Sequence, residues 1–357
     1  VLGKLIVEGT REAPVVVCPE NRDVAWGGIT LKGDAASTET SWTFVTGSGG
    51  NPWWFVANNI AGTHRQEQAA FFLGEGAKGT FSDCFFIDNA GQAFHGETSQ
   101  LTLDRCVVQR CQTVGQFNGG SVTIRDSALI DFPSDSDTFE DGDNDALYFT
   151  LGEHKITGTL IGWCKDDGID AGGNSPGTVH VSGCWIESCF HEGLALSGAD
   201  KIVRVLDSVI INCGQAIEVG YLSPNVTLER CLLTCNGIGA RFGDNYNGAH
   251  LGFLSMTSSV SIFNQRDIWG MSRNLWEEKI SRMKIKGNHL SRLHDSFPDN
   301  RVWEPAEHPG LLSPFLSRSP FVTGVGFRGW DRLVAPGPVS YTHLRAHETE
   351  AAVVCRL

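Results

Sequence analysis

The stretch Val179-His-Val-Ser-Gly-Cys-Trp-Ile-Glu-Ser-Cys-Phe-His-Glu-Gly-Leu-Ala195 decides the fold, because variants of it recur along the chain. Each copy has a small residue at the position of Cys184. These small residues are separated by 22, 21, 32, 25, 24 and 23 residues. They form a first column, which consists of Cys84, Cys106, Ser127, Thr159, Cys184, Ser208 and Cys231. A fixed period of this length is the signature of a repeat architecture.

A second column follows the first by five residues: Asn89, Cys111, Phe132, Cys164, Cys189, Cys213 and Asn236. Short alternating runs, such as Val179-His-Val and Val226-Thr-Leu, predict strands that are separated by turns. A repeat of about 23 residues without a helix-length segment cannot bury its own apolar face, so successive repeats must stack. The sequence therefore predicts an all-β solenoid, a right-handed parallel β-helix of about ten coils with equivalent residues about 4.8 Å apart.

The repeat pattern, Val-x-Ile-x-(Asp/Gly)-(Cys/Ser)-x-x-x-x-(Cys/Asn) followed by Gly-Ile-x-Ala, resembles that of the pectin-lyase-like β-helix superfamily. The resemblance is close over residues 79–243 and looser over 1–300. Near the N-terminus, Gly3-Lys-Leu-Ile-Val-Glu-Gly-Thr10 and Trp26-Gly-Gly-Ile-Thr30 resemble the first coils of β-helix modules in large bacterial surface proteins. This second resemblance implies an extracellular or cell-surface location, a monomeric module and neighbouring domains in a longer chain.

The domain organisation follows the extent of the repeat. Residues 1–300 are expected to form the β-helix, and the proline-rich residues 301–338 a C-terminal cap or the start of a following domain. Residues 339–357 resemble translated adaptor sequence and are interpreted as a non-native tail. The spacing of 32 residues marks an insertion at Ser134–Asp145. Because the chain begins at Val1 within the pattern, we expect it to be a fragment of a longer protein.

Composition and charge limit the partners. The chain has 357 residues and a net charge of −13, and such an acidic balance argues against nucleic acid as a partner. No apolar run approaches the ~20 residues of a membrane span, so membrane insertion is not expected. The eleven cysteines are an odd number. We predict free, buried thiols in the two columns, because parallel side chains in adjacent coils have poor disulfide geometry.

One face of the solenoid is predicted to bind a polysaccharide. In the pattern Gly-Ile-x-Ala the residue x is expected to point outward. The resulting outward column is His95, Phe117, Tyr148, Asp170, Ala195, Glu218 and Arg241. A second column, also expected to be exposed, is Gln92, Asp145, Asp167, Glu192 and Gln215. From these columns we predict the substrate-binding residues Tyr148, Asp170, Glu192, Glu218 and Arg241.

Three consecutive coils are similar to the motifs of the polygalacturonase family: Asp143-Asn-Asp145, Lys165-Asp-Asp167-Gly168 and His191-Glu-Gly193. The resemblance implies that Asp145 and Asp167 are paired carboxylates, Asp166 a further acid and His191 a supporting residue. Glycoside hydrolysis would then use one protonated acid and one carboxylate. Asn144, Lys165 and Glu192 depart from that family, and its Arg-x-Lys motif is absent. The alternative for Asp167 and His191 is a turn residue that bonds backbone amides.

The same residues bear on two other possibilities, a lyase and a Ca²⁺ site. A lyase would need a basic group, and Lys165 and Arg241 lie coils apart. Hydrolysis requires no cofactor, and Ca²⁺ is the one candidate ion. Asp141 and Asp143 in the insertion offer oxygen ligands for Ca²⁺, and the alternative is a solvated acidic loop. Two functions remain open: an extracellular module that binds and cleaves a polysaccharide by carboxylate acid/base chemistry, or a non-catalytic structural or adhesion segment of a larger surface protein.

Overall fold

The computed structural model describes residues 1–21, 23–51, 53–58, 60, 67–132, 144–246, 248–270 and 280–304. Within these ranges short strands dominate, and a single turn of helix, α1, spans Trp54–Ala57. The strands of the first half are β1 (Lys4–Glu8), β2 (Val15–Val17), β3 (Ile29–Leu31), β4 (Ser37–Ser41), β5 (Thr43–Val45), β6 (Phe71–Leu73), β7 (Lys78–Ser82), β8 (Phe85–Asn89), β9 (Phe94–Asp104), β10 (Val107–Cys111), β11 (Gly115–Arg125), β12 (Ala128–Phe132), β13 (Leu147–Thr157), β14 (Leu160–Cys164) and β15 (Ile169–Ala171). Those of the second half are β16 (Gly177–Ser182), β17 (Trp185–Glu187), β18 (Glu192–Gly198), β19 (Lys201–Leu206), β20 (Val209–Ile211), β21 (Gln215–Leu222), β22 (Asn225–Glu229), β23 (Leu232–Thr234), β24 (Ile238–Phe242), β25 (Phe253–Thr257), β26 (Val260–Ile262), β27 (Arg266–Gly270), β28 (Met283–Lys286), β29 (His289–Leu290) and β30 (Arg301–Val302).

All strand pairs are parallel, and they form three ladders that wind through about ten turns. The first ladder, in part, runs β16-β19-β22-β25-β28, and the second runs β15-β18-β21-β24-β27. The long strands β9, β11 and β13 join these two ladders into one sheet. The third ladder is a separate sheet that includes β12-β14-β17-β20-β23. The predicted all-β parallel solenoid is therefore confirmed.

The strand register reproduces the repeat that the sequence indicates. In the second column Cys111 pairs with Asn89, and Phe132 pairs with Cys164. The latter pairing holds across the long insertion between β12 and β13, and beyond the insertion Leu147 pairs with Ile169. The inserted residues thus leave the ladders on both sides in register. Residues 133–143 within it lie outside the described residues.

The residue before each column position has a left-handed backbone conformation. This explains why the sequence repeats Asp or Gly followed by Cys or Ser. Asp83, Arg105 and Asp207 have φ values of 55°, 53° and 50°, and Gly158 and Gly183 have 59° and 60°. Glycine and aspartate adopt this region at low cost. Where arginine occupies it, the guanidinium contacts the aspartate one coil earlier, with 2.7 Å between Arg105 Nη2 and Asp83 Oδ2.

The first column is built from small residues because they pair with the next coil. The hydroxyl Oγ of Ser127 accepts the backbone N–H of Cys106 at 3.0 Å, and Ser208 Oγ accepts that of Cys184 at 3.1 Å. In the second column, Asn236 Oδ1 accepts the N–H of Cys213 at 2.9 Å. These bonds satisfy buried amides that would otherwise be costly at each corner.

The solenoid interior is mostly apolar. Near the N-terminal end Phe94 lies against Phe71, Phe81 and Phe86, with ring centroids 6.1, 5.1 and 4.6 Å away. Further along, the inward positions carry aliphatic side chains and cysteines that are almost fully buried. This packing, rather than any long helix, stabilises the coils.

The chain beyond the last coil is largely outside the described residues. Strand β30 pairs with β29 and adds the last rung that the structure describes. The predicted cap or following domain at 301–338 is described only as far as residue 304, and the predicted non-native tail at 339–357 lies outside. Both interpretations stay predictions.

The cysteines of the described residues are free, as predicted for the columns. Eight of these ten thiols are buried, and Cys18 and Cys235 are exposed. Burial raises the pKa of Cys111 to about 11 and that of Cys184 to about 12. Because thiolates are the reactive species, buried thiols should react slowly.

We expect a thiol reagent at neutral pH to modify Cys18 and Cys235 rapidly in the folded protein, and the other eight only after denaturation. Quantitative labelling followed by peptide mass spectrometry measures this. Any disulfide between adjacent members of the second column, such as Cys164 and Cys189, would contradict the prediction.

Candidate functional site

A cavity of about 510 Å³ opens on the second ladder, and it is called the groove below. Carboxyl groups and tyrosines dominate its surface. It is lined by Asp145, Tyr148, Asp166, Asp167, Asp170, Gly172, His191, Glu192, Ala195, Leu196, Ser197, Glu218, Tyr221, Asp244, Tyr246 and Gly248. The structure therefore brings together eight of the predicted catalytic and substrate-binding residues, drawn from consecutive coils.

The floor of the groove is a front row of residues that are paired in register across four coils. Tyr148 pairs with Asp170, Asp170 with Ala195, and Ala195 with Glu218. Glu218 in turn pairs with Arg241, which is buried and packs against it. Because Ala195 has only a methyl group, it leaves a space in the row between the carboxyl groups of Asp170 and Glu218.

Phe117 does not belong to this row, and that prediction is wrong. The residue that pairs with His95 and Tyr148 is Gln116, whereas Phe117 is buried in the core. The coil differs from its neighbours because Gly115 occupies the inward position and offers no side chain. The ring of Phe117 fills that space, since a Cβ on Gly115 would lie 3.1 Å from its Cζ. A shift of one residue exchanges the two faces of a strand.

Behind the front row lies a back row at the corner: Asp145, Asp167, Glu192 and Gln215. The prediction that this column is exposed is wrong, since all four residues are buried. Asp145 Oδ1 accepts the N–H of Asp167 at 3.3 Å, and Asp167 Oδ1 accepts the N–H of Glu192 at 2.7 Å. The side chains turn toward the next coil because the corner amides need acceptors there.

The two rows are joined by hydrogen bonds through Gln215. Its Nε2 donates to Glu192 Oε1 and, at 3.3 Å, to Glu218 Oε2. Its Oε1 accepts from Arg241 Nη1 at 3.1 Å, and the same Nη1 lies 2.6 Å from Glu218 Oε2. Burial raises the pKa of Glu218 to about 8, with Glu192 adding to the shift and Arg241 opposing it. This pKa favours the protonated form of Glu218 at neutral pH.

His191 covers a cluster of three acids. Its Nδ1 lies 2.6 Å from Glu192 Oε2, 3.3 Å from Asp166 Oδ1 and 3.8 Å from Asp167 Oδ1. Burial by itself would lower the pKa of His191, but the hydrogen bonds to Asp166 and Glu192 raise it to about 10. The side chain is 35% exposed, while that of Asp166 is 3% exposed. The imidazolium of His191 thus covers acids that have little contact with solvent.

Asp167 has the most perturbed environment of the cluster. Burial raises its pKa well above the ordinary value, and the neighbouring Glu192 and Asp145 add to the shift. Burial and neighbouring acids both disfavour the charged form of a carboxyl group. Such perturbed acids are typical of catalytic centres and also of buried structural networks.

The same cluster has the geometry of a metal site. The ligand atoms of Asp166, Asp167 and His191 lie within 4.8 Å of one another. A divalent cation would require the neutral imidazole, so it would compete with the proton that the acids hold on His191. The Ca²⁺ ligands predicted at Asp141 and Asp143 lie outside the described residues, and that site stays a prediction.

Three groove residues were not anticipated from the sequence: Tyr221, Tyr246 and Asp244. The carboxylate of Asp244 accepts the N–H groups of Tyr221 at 2.6 Å and Tyr246 at 3.0 Å. The ring centroids of Tyr221 and Tyr246 are 5.8 Å apart, and the rings are in edge-to-face contact. The chain has four tyrosines, and three of them line the groove: Tyr148, Tyr221 and Tyr246. That concentration of a rare residue in the later coils was the available signal.

Comparison with known proteins identifies the architecture. The chain resembles the crystal structure of pectate lyase Pel9A, with a TM-score of 0.52 and 14% identity over 92% of this chain and 81% of that chain. The fold is a pectin-lyase-like β-helix. A periplasmic alginate epimerase, AlgG, gives a TM-score of 0.48 at 11% identity over 80% of this chain and 67% of its own. The Dettilon tailspike protein gives a TM-score of 0.36 at 11% identity, over 85% of this chain and 60% of its own.

At these identities the comparisons establish the fold of the β-helix and not its chemistry. No protein-family model matches the sequence, and no curated protein is similar to it in sequence. Among the described residues, no helix has the length and apolar character needed to cross a membrane.

Proposed function

We propose that this β-helix is an extracellular or cell-surface module whose groove binds a polysaccharide chain and hydrolyses it by carboxylate acid/base chemistry. The observation that carries the proposal is the front row, in which Asp170 and Glu218 flank the space above Ala195. The similarity to a pectate lyase supports a carbohydrate ligand.

In this proposal Glu218 is the general acid. Its protonated form is favoured at neutral pH and it lines the groove, so it can donate its proton to the glycosidic oxygen as the bond from that oxygen to the anomeric carbon breaks. Asp170 accepts a proton from water while the water oxygen forms the new bond to the anomeric carbon. The glycosidic bond is thereby replaced by two hydroxyl groups, and no cofactor takes part.

The spacing of the coils sets the stereochemistry. Residues two coils apart in a parallel ladder are separated by about 9.6 Å at their Cα atoms. Two carboxyl groups about 6.5–9.5 Å apart leave room for a water molecule and invert the anomeric configuration. Asp170 and Glu218 are two coils apart, so we propose an inverting hydrolase.

The other predicted catalytic residues are assigned a positioning role. Asp145 and Asp167 bond corner amides, and Asp166 lies beneath His191. Through Glu192 and Gln215 this back row contacts Glu218 and raises its pKa. In the predicted alternative, a non-catalytic adhesion or structural segment, the same acids would serve the corners alone and the groove would turn over no substrate.

The test is an activity panel on the purified chain. We expect reducing ends to be released from at least one polysaccharide, and NMR of the first product should show an inverted anomeric centre. Unsaturated products, detected by their absorbance, would indicate a lyase instead. If affinity gels retain the protein but no polysaccharide is cleaved, the non-catalytic alternative is correct.

A further inference from the structure

The groove has a strong excess of acidic side chains. Its lining includes seven carboxyl groups: Asp145, Asp166, Asp167, Asp170, Glu192, Glu218 and Asp244. Among the described residues that line it, His191 is the one basic side chain. An extended ligand in this groove must therefore lie along a surface on which acids outnumber bases by seven to one.

Two cationic groups, His191 and Arg241, already contact acids of the groove. His191 Nδ1 is within 3.8 Å of three carboxyl groups, and Arg241 is 2.6 Å from Glu218. A ligand carboxylate would have to displace one of these acids before it could pair with a cation. Acids that would be left without a partner in a buried site make such an exchange unfavourable.

The groove offers instead the groups that bind sugar hydroxyls and sugar faces. Carboxylates accept hydrogen bonds from hydroxyl groups, and a carboxyl group in its neutral form also donates one. Tyr148, Tyr221 and Tyr246 provide aromatic surface with a polar tip, which suits the apolar faces and hydroxyl edges of pyranose rings.

We infer that the ligand of the groove is an uncharged polysaccharide and that polyuronates are excluded by the carboxyl groups that line it. The inference rests on the proposed carbohydrate-binding function and specifies its substrate class. It distinguishes this β-helix from pectate lyase Pel9A, whose name specifies an acidic polysaccharide. Like charges held close together in a cleft of low polarity repel strongly. This repulsion would make the groove bind neutral polysaccharides in preference to polyuronates.

A matched pair of oligosaccharides tests the inference. Hexagalacturonate and its fully methyl-esterified form share one backbone and differ in charge. Both are titrated by calorimetry, as are the hexasaccharides of xylose, mannose, glucose and galactose. Each titration is done once in chelator and once with added Ca²⁺. We expect a neutral member of the panel to bind at least tenfold more tightly than hexagalacturonate in both conditions. The difference should narrow at high salt, because ions screen the repulsion.

Two variants locate the effect. Asp170→Asn removes the most exposed carboxylate of the front row, and it should raise the affinity for hexagalacturonate severalfold while the neutral ligand loses affinity or stays unchanged. Glu153→Gln removes an exposed carboxylate outside the groove and should change neither affinity. Binding is measured, so loss of catalysis in the Asp170 variant does not affect the result.

The outcomes are distinct. Preferred binding of hexagalacturonate, with or without Ca²⁺, would overturn the inference and leave the proposed function standing. Preferred binding of chitosan hexamer over the neutral hexasaccharides, with affinity lost in salt, would also overturn it in favour of a cationic ligand. If no member of the panel binds, the proposed function fails and the inference fails with it.

Discussion

Replacement of Glu218 by glutamine is expected to lower the rate of polysaccharide hydrolysis by about 10²- to 10⁴-fold, the usual contribution of a general acid. Glutamine keeps the size of the side chain and its contacts with Gln215 and Arg241, but it has no proton of suitable acidity to donate. The turnover number should therefore fall while substrate affinity changes little. Kinetics on the best substrate of the activity panel measure the effect.

The pH profile provides a second readout. Because Glu218 must be protonated and its pKa is raised to about 8, wild-type activity should fall as pH rises through that value. Glu153→Gln is the matched control, since it removes an exposed carboxylate outside the groove and should leave the rate unchanged. A Glu218→Gln variant with near wild-type activity would exclude this residue as the acid and return the role to Asp167.

Replacement of His191 by alanine is expected to destabilise the fold by about 2 kcal/mol. Removal of one partner from a buried ion cluster costs about 3–5 kcal/mol, and the value is reduced here because the imidazole is 35% exposed. The loss should be visible as a lower denaturant midpoint. His180, which is partly exposed on β16, offers a control, and its replacement by alanine should have little effect.

The pH dependence of this loss has a defined sign. The folded-state pKa of His191 is about 10, above its ordinary value of 6.5, so the stabilisation is complete below pH 6.5. It should decrease as pH rises from 6.5 through 10, and the stability difference between wild type and His191→Ala should shrink over this range. A difference that stays constant with pH would show that the ring acts through packing instead of charge.

The fold could be predicted because each coil repeats the same local requirements. A left-handed residue such as Asp207 must precede each column position, and a small side chain such as Ser208 must accept an amide from the preceding coil. Both requirements restrict residue type at a fixed spacing. The period therefore indicates a stacked solenoid even though no protein-family model and no curated protein matches the sequence.

The composition of the groove was only partly predictable. Residues that share a column, such as Asp170 and Glu218, could be grouped because alternation along a strand determines which face they occupy. The error at Phe117 arose where Gly115 removed the side chain that marks the inward position. The burial of Asp167 and Glu192 depends on which corner amides need acceptors, and sequence periodicity does not contain that information.

Tyr246 and Asp244 could not be assigned to the groove because they follow β24 and lie outside the repeated pattern. Tyr246 belongs to the connection after β24, and its position depends on the hydrogen bond from its N–H to Asp244. Such contacts link segments that have no periodic relation to each other. The walls of the groove are therefore less predictable than its floor.

The insertion between β12 and β13 shows how a solenoid of this kind can diversify. It adds chain at a corner while Phe132 remains paired with Cys164 and Leu147 with Ile169, so neither neighbouring coil has to adjust. The entropic cost of a longer loop grows only slowly with its length. Because the segment leads directly into Asp145 at the edge of the groove, a single insertion or deletion event can alter the surroundings of the ligand while descendants inherit both rows intact. Evolution can thus vary the chain at this point and leave the neighbouring ladders unchanged.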